Sequence, residues 1–458
     1  MIRQWLVVVV LQWMVRWDVQ AFLSPRVSTS RVVLVVYNSF VDIHEHAMRD
    51  VTSYESWAIH YGAQKADSIT ICDTTPPNDP YMQVGLMTTN HVSPGTPLLY
   101  IPSSIVLSAI QARSEMGQLD KAEERLKLLG ASDHVNCFYL FLKLLLEYQQ
   151  GTQSPYFAVL NAMPRYFANG ASMTPFCFDC LPPLAASLAR DERVTFIQFY
   201  QALKLVPSEW LHPSIVENKP LAKWAFAICR TRGSAVPTTI VDKYINPDGK
   251  DDWKIPPLID CCNHAAVPNV ELSYDGDGNA CLTSIVEIPA GSQLFVNYGD
   301  ATNPSQLFAR YGFLDESASA TFCKYMIAKP TPQQVAMGYD PTLMLFSTQG
   351  QISEQVYDVF LYQLLGNSSP QTQQQFFQAH VNGDVATKQA IHNEYYTLTI
   401  NAILSHVNNF LQELDRLSAK GDGVDWSEHP RLPLILQHNA FVKQTFLAVQ
   451  ANLLQQTR

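Results

Sequence analysis

Two strand-like stretches of this chain, residues 68–101 and 271–297, stand on either side of a helical stretch from about Gln111 to Asn218. A small β domain split by helices is an unusual arrangement, and it limits the folds open to the chain. The first stretch reads as strands at Ser68–Cys72, Gly85–Thr88 and Pro97–Ile101, with Ser93-Pro94-Gly95 as a turn. Before it, Ser56 to Gly62 reads as a short helix ending at its glycine. In the second stretch, Asp275-Gly276-Asp277-Gly278-Asn279 starts like a calcium loop. Ala280 then stands where the loop glycine belongs and Val286 where the bidentate glutamate belongs, so the segment reads as a hairpin turn.

Inside the helical stretch, Phe138 to Glu147 is apolar almost all round, as in a helix buried on most sides. Lys223 to Thr231 reads as another helix. Beyond about Pro341 the chain is helical again: a long amphipathic pattern from Val385 to Ala419, a break at Gly421-Asp422-Gly423, and a last helix from Leu434 to Gln455. The glutamine-rich patch at Gln371–Gln378 reads as a solvated helix face or loop.

The chain has 458 residues, room for two or three domains. Its 31 basic and 41 acidic residues give a net charge of −10, which argues against a polyanion as main ligand, so no nucleic-acid partner is expected. The nine cysteines are an odd, scattered set. Only Cys177 and Cys180 have metal-ligand spacing, without the second pair a structural zinc site needs, so buried thiols and no metal are expected.

At the start, Trp5 to Val15 is an apolar run after Arg3, too short to span a bilayer comfortably. It reads as the core of a signal peptide over residues 1–21. The stretch Val19 to Arg26 then turns Ser/Arg-rich and acid-poor, and residues 22–50 read as a transit peptide or disordered leader. The junction Ala21-Phe22 resembles the two-part presequences of algae with secondary plastids, which implies a chloroplast protein; an ordinary secretory signal or membrane anchor is the alternative. No later stretch is apolar enough to cross a membrane.

The chemistry-bearing segment is Asp260-Cys261-Cys262-Asn263-His264, with Pro268-Asn269 following. After a strand pair comes Ile288 to Gly299, ending Val296-Asn297-Tyr298-Gly299, then Tyr311-Gly312-Phe313. Asn-His-x-x-x-Pro-Asn followed by a hydrophobic strand ending in Tyr-Gly resembles the SET domain. With Trp224-Ala225-Phe226, Thr231-Arg232 and Leu146-Glu147, the pattern over residues 51–455 resembles the Rubisco lysine methyltransferase group.

That resemblance implies an α+β fold. Its parts are an N-terminal SET portion at 51–110, a helical insert at 111–222, a C-terminal SET portion with a pseudoknot at 223–328, and an all-α substrate-binding domain at 340–458. It implies S-adenosylmethionine as cofactor and a protein substrate. Tyr298 and Tyr311 fall at the catalytic positions, and Asp260 at a substrate-contacting one. Arg232, Asn263 and His264 fall at cofactor-binding positions, together with the loop Gln83-Val84-Gly85, where the group usually has Gly-x-Gly and this chain keeps only the second glycine. Methyl transfer from a sulfonium is an in-line displacement, so the catalyst mainly aligns the acceptor nitrogen with the methyl carbon. A free lysine titrates near ~10.4, and exposing its lone pair near neutral pH costs about 4 kcal/mol. An apolar channel with aromatic walls lowers that cost by desolvation.

Three functions are therefore in view: a plastid protein-lysine methyltransferase, a protein-histidine methyltransferase of the same architecture, and a non-catalytic SET-fold binding module. A Rossmann-type methyltransferase is excluded by the lack of a glycine-rich strand-to-helix loop, and a serine hydrolase by the lack of a Gly-x-Ser-x-Gly elbow.

Overall fold

The apolar run near residue 140 becomes the helix Val135–Gln150, buried on most of its surface. Phe138 and Phe141 meet Phe199 of the helix Pro183–Leu203 at ring distances of 5.3 and 5.6 Å, and Phe199 meets Phe226 of the helix Lys219–Arg232 at 5.4 Å. Edge-to-face packing of this kind adds to the stabilisation from burying the rings themselves. Arg230 and Glu192 join the last two helices by a bidentate pair at 3.0 and 2.6 Å. These observations come from a computed structural model that describes residues 39–77, 79–238, 249–299 and 302–456. All of them concern the body formed by Phe40–Arg458. The signal-peptide reading, and residues 22–38 of the leader reading, lie outside the described residues.

Residues 40–50, expected to belong to a disordered leader, instead pack on the body. Val41 is buried, and Arg49 is 8% exposed. Glu45 pairs with Arg431. The first helix, Val51–His60, begins five residues before the expected Ser56, because the Asp50 carboxylate caps it by accepting from the Ser53 N–H.

The strands before the helical stretch are β1 (Gln64–Lys65), β2 (Ile69–Asp73), β3 (Val84–Thr88), β4 (Pro97–Ile101) and β5 (Leu107–Ser108). After it come β6 (Ser234–Val236), β7 (Asp252–Ile255), β8 (Asn263–His264), β9 (Val270–Tyr274), β10 (Ala280–Ser284) and β11 (Phe295–Val296). The largest sheet has the order β1-β4-β10-β9, and a second has β5-β7-β6. In both, a strand from before the helices pairs with one from after them: Leu99 lies opposite Leu282, and Leu107 opposite Ile255. Neither half therefore completes either of these two sheets alone. The β9–β10 hairpin turns at Asp275–Asn279, where the Asp275 carboxylate accepts from the N–H groups of Asp277 and Asn279. The acidic loop is thus a turn stabilised from within.

At the C-terminal end, β12 (Ala320–Phe322) and β13 (Leu345–Ser347) pair antiparallel. The helices Glu354–Ser368, Pro370–Asn382, Val385–Glu394, Tyr396–Ala419 and Leu432–Gln456 follow. The region from 340 is helical as expected, with one short strand at its start: Phe346 of β13 is fully buried against Phe446, so the short ladder closes the base of the helical core. The long amphipathic pattern is two helices that break at Tyr395. The glutamine-rich patch is helical, its one buried aromatic, Phe376, facing inward.

Where this region meets the rest, Lys324 is 4% exposed and adopts a left-handed φ of +59°. Its Nζ donates to Ser305 Oγ at 3.3 Å, and the same hydroxyl contacts His438 Nε2 at 3.1 Å. Burial pulls Lys324 down to about 7 and His438 down to about 3. Between pH 7 and the ordinary lysine value of 10.5, the unfolded chain binds the Lys324 proton and the folded chain has released it. Stability should consequently rise with pH across that window. Replacing Lys324 by Met is expected to flatten the rise in urea midpoints compared at pH 7 and pH 9; an unchanged slope would remove Lys324 as its source.

Candidate active site

β8 and β11 are only two residues long, yet they bring together segments thirty residues apart by pairing in parallel, Asn263 with Phe295 and His264 with Val296. The Asn269 side chain locks this pairing: its Nδ2 donates to Gln293 O at 2.9 Å and its Oδ1 accepts from Phe295 N at 2.7 Å. Just before β11, the chain also pairs with β3, through Leu294 N to Leu86 O at 2.7 Å and Thr88 N to Ser292 O at 2.9 Å. Residues from three distant parts of the chain thus converge on one locus.

Tyr298 follows β11 directly. Its hydroxyl donates to Cys262 O at 2.6 Å, and its N–H donates to His264 Nδ1 at 3.1 Å. Burial pushes the phenol well above its ordinary value, so it stays protonated at neutral pH. Tyr311, at the end of the helix Pro304–Tyr311, packs against Tyr298 with tilted rings whose centres are 4.8 Å apart, and its hydroxyl donates to Tyr298 O at 3.2 Å. Phe313 completes an aromatic corner, 6.3 Å from each tyrosine ring and 5.7 Å from His264. Gly312 makes this corner possible. It sits at φ +79°, and a Cβ there would meet the backbone of Ala168 and Asn169 at 2.6 Å.

Because His264 Nδ1 accepts a hydrogen bond, the neutral ring carries its hydrogen on Nε2, which faces Asp315 at 3.6 Å without a hydrogen bond. Burial holds this histidine below its ordinary value. Asn263 Nδ2 donates to Gln293 Oε1 at 2.7 Å. Gly85 packs against that amide: a Cβ there would lie 2.8 Å from Thr74 Cγ2, 2.9 Å from Asn263 Nδ2 and 3.0 Å from Gln293 Oε1. Gln83 is exposed, and its side chain turns along the loop to donate to Asp79 Oδ2 at 2.8 Å. Val84 is buried, and its carbonyl faces Asn263 Nδ2 at 3.4 Å. The chain thus keeps the glycine where side chains crowd and replaces the one where there is open surface.

Arg232 leaves the last turn of its helix and donates from Nη1 to Asp260 O at 2.6 Å. The Asp260 carboxylate accepts from the Tyr54 hydroxyl at 2.7 Å, and that hydroxyl itself accepts from Leu258 N at 2.8 Å. Asp260 is therefore tied into the β7–β8 connection as a buttress, and burial raises its pKa. Arg49 lies close by, donating to Ala162 O at 2.7 Å and to Met82 O at 3.2 Å. Burial, and then the charge of Arg232, pull its guanidinium down to about 10. Two guanidinium groups around one carboxylate leave a surplus of positive charge in a desolvated place.

A cleft of about 730 Å³ is lined by Arg232, Asp260, Tyr298 and Tyr311 among others, with Trp253 and Tyr274 also on its walls. Four of the residues singled out from sequence share this cleft. Asn263 and His264 adjoin it through Tyr298, Cys262 and the β8–β11 pair, while Gln83 points elsewhere. The sequence reading missed Arg49, Tyr54, Gln293 and Phe313 as members of the site. Phe313 had a signal, since it ends the motif Tyr311-Gly312-Phe313. Arg49 had none, because it precedes every recognisable motif and acts only through the fold.

Residues 83–299 match the family model of the SET domain. No curated protein matches the chain by sequence. Among solved structures, the SET domain of LSMT bound to methyllysine and S-adenosylhomocysteine matches with a TM-score of 0.57 at 15% identity, over 89% of this chain and 92% of that one. Rubisco LSMT bound to S-adenosylmethionine matches with a TM-score of 0.56, again at 15% identity and over 89% and 92% of the two chains. The chain thus has the fold of these proteins, and its residues 83–299 are similar to the SET domain.

Replacing Gly85 by Ala should break the Asn263–Gln293 hydrogen bond and destabilise the protein by about 1–3 kcal/mol. A chemical-denaturation midpoint equal to that of the parent would show that Gly85 is not needed for close packing.

Proposed function

We propose that this SET-domain chain is an S-adenosylmethionine-dependent protein-lysine N-methyltransferase acting on a non-histone plastid protein. The observation that carries this reading is the corner of Tyr298, Tyr311 and Phe313, with the Tyr298 phenol held against the carbonyl that immediately precedes Asn263-His264. The structural neighbours are complexes with S-adenosylmethionine, S-adenosylhomocysteine or sinefungin, and with lysine or its methylated forms, which supports the choice of cofactor and acceptor.

The residues present fit that cofactor. Gly85 leaves no Cβ in the place where Asn263 is held, and the positive surplus of Arg49 and Arg232 suits an amino-acid carboxylate. When bound, S-adenosylmethionine supplies an electrophilic methyl group on a positively charged sulfur. The chain's own task is to present a neutral amine in line with it. The aromatic walls desolvate a lysine side chain and disfavour its ammonium form. The phenol of Tyr298 donates a hydrogen bond to Cys262 O, so a lone pair of its oxygen remains to accept an N–H from the incoming amine and set its direction. Because burial keeps Tyr298 protonated, this oxygen orients the amine and takes no proton from it.

The N-terminal segment supports a plastid destination by its apolar run and Ala21-Phe22 junction. Among the described residues, no helix is long and apolar enough to cross a membrane.

Replacing Tyr298 by Phe should lower radiolabelled methyl transfer into a stromal extract by about a hundredfold, because the acceptor loses its orientation. Calorimetry should show S-adenosylmethionine binding the variant as it binds the parent. Failure of the parent to bind at millimolar cofactor would sink the enzyme reading and leave a non-catalytic binding module. Methylated histidine in place of methylated lysine in the labelled product would move the acceptor assignment. A fluorescent reporter fused behind residues 1–50 should enter the plastid; secretion or membrane retention would overturn the destination.

A further inference from the structure

We infer that Arg310 is a specificity-determining residue that receives an acidic side chain of the protein substrate near the acceptor lysine, an inference that rests on the methyltransferase reading above. Arg310 ends the same helix as Tyr311 and lines the same cleft, facing it together with Trp253 and Tyr298. Its guanidinium lies over two rings, 5.5 Å from the centre of Trp253 and 5.2 Å from that of Tyr311. Its Nε donates to Arg230 O at 3.2 Å, which fixes the plane of the group. That bond leaves four N–H donors on the two terminal nitrogens.

Among the described residues, no carboxylate pairs with Arg310. Three other arginines differ in this respect. Arg230 holds Glu192 in both prongs at 3.0 and 2.6 Å, Arg113 holds Glu123 at 2.7 Å, and Arg431 holds Glu45. A guanidinium that is half-buried, stacked on aromatic faces and oriented by one backbone bond is prepared for a carboxylate in the bidentate geometry that arginine favours. A lysine at this position would lack both the fork and the stacking.

A carboxylate in this cleft has two sources, the cofactor and the substrate. Arg49 and Arg232 already supply a positive surplus beside Asp260 for the first. Arg310 stands beside the tyrosine corner, where the acceptor side chain and its flanking residues must pass. A substrate carboxylate there would add affinity for the right segment and, by leaving the guanidinium unmatched, select against a neutral or basic neighbour.

The test uses fluorescein-labelled nonapeptides with one central lysine and a single Asp walked from three residues before it to three after, each against its Asn counterpart. Binding to the full chain with S-adenosylhomocysteine present is read by anisotropy. At one position the Asp peptide should bind at least about tenfold more tightly than the Asn peptide. Arg310→Gln should erase that preference, Arg310→Lys should keep part of it, and Arg310→Glu should turn it toward a Lys at the same position. A purely structural role would produce no such inversion. Equal binding of Asp and Asn peptides at every position overturns the inference. So does a tenfold loss of S-adenosylmethionine affinity in Arg310→Gln, which would assign the cation to the cofactor. Methyl transfer to the same peptides is measured separately. An intact Asp preference in binding without transfer would count against the methyltransferase reading while supporting the role of Arg310.

Discussion

The parallel pairing of β8 with β11 is the contact on which the site depends. Two residues on each side are too few to hold by themselves. The Asn269 side chain extends the ladder by accepting from one backbone N–H and donating to a carbonyl two residues earlier. With that lock in place, His264 stands beside Tyr298 and receives its N–H, and Cys262 offers its carbonyl to the Tyr298 phenol. Asn263 is fixed from the other side by Gln293 and by the close approach of Gly85. The acceptors of both the Tyr298 phenol and its N–H trace back to this small pairing.

The helical stretch serves the same locus from behind. Its aromatic core of Phe138, Phe141, Phe199 and Phe226 holds the helix Lys219–Arg232 in place, and the Arg230–Glu192 pair ties that helix to Pro183–Leu203. Arg232, at the helix end, can then reach Asp260 O. Burying an ion pair contributes little net stability, but a pair left half-made is costly, so Arg230 and Glu192 act chiefly as a constraint on helix position. Arg310 is fixed to the same helix through the Arg230 carbonyl, which links the substrate side of the cleft to the scaffold that delivers Arg232.

The replacement of the first loop glycine is explained by space. A Cβ at Gly85 would collide with three side-chain atoms, whereas Gln83 is exposed and hydrogen-bonds with Asp79. The two positions look equivalent in a Gly-x-Gly pattern. They differ because Gly85 lies within β3, packed against Asn263, whereas Gln83 precedes the strand and its side chain runs along the exposed loop to Asp79.

The sequence by itself determined the order of the parts. Apolar runs, turn residues and the spacing of Asn263-His264, Asn269 and Tyr298 are local signals, and they predicted the split β region, the enclosed helix near residue 140, the β9–β10 hairpin and the helical C-terminal region. The resemblance to the Rubisco lysine methyltransferase group also marked Tyr298 and Tyr311 as a pair. The tertiary structure alone decided what surrounds them. Arg49 lies in a stretch whose composition reads as leader, yet it is buried near Arg232 because Val41 and Glu45 find partners far along the chain. The break at Tyr395 and the strand Leu345–Ser347 likewise answer to packing partners. Asp260 is held by the hydroxyl of Tyr54, and Gln83 bonds outward to Asp79. Periodicity and spacing record which face a residue presents; which distant group meets that face is set by the long-range pairing of strands and helices.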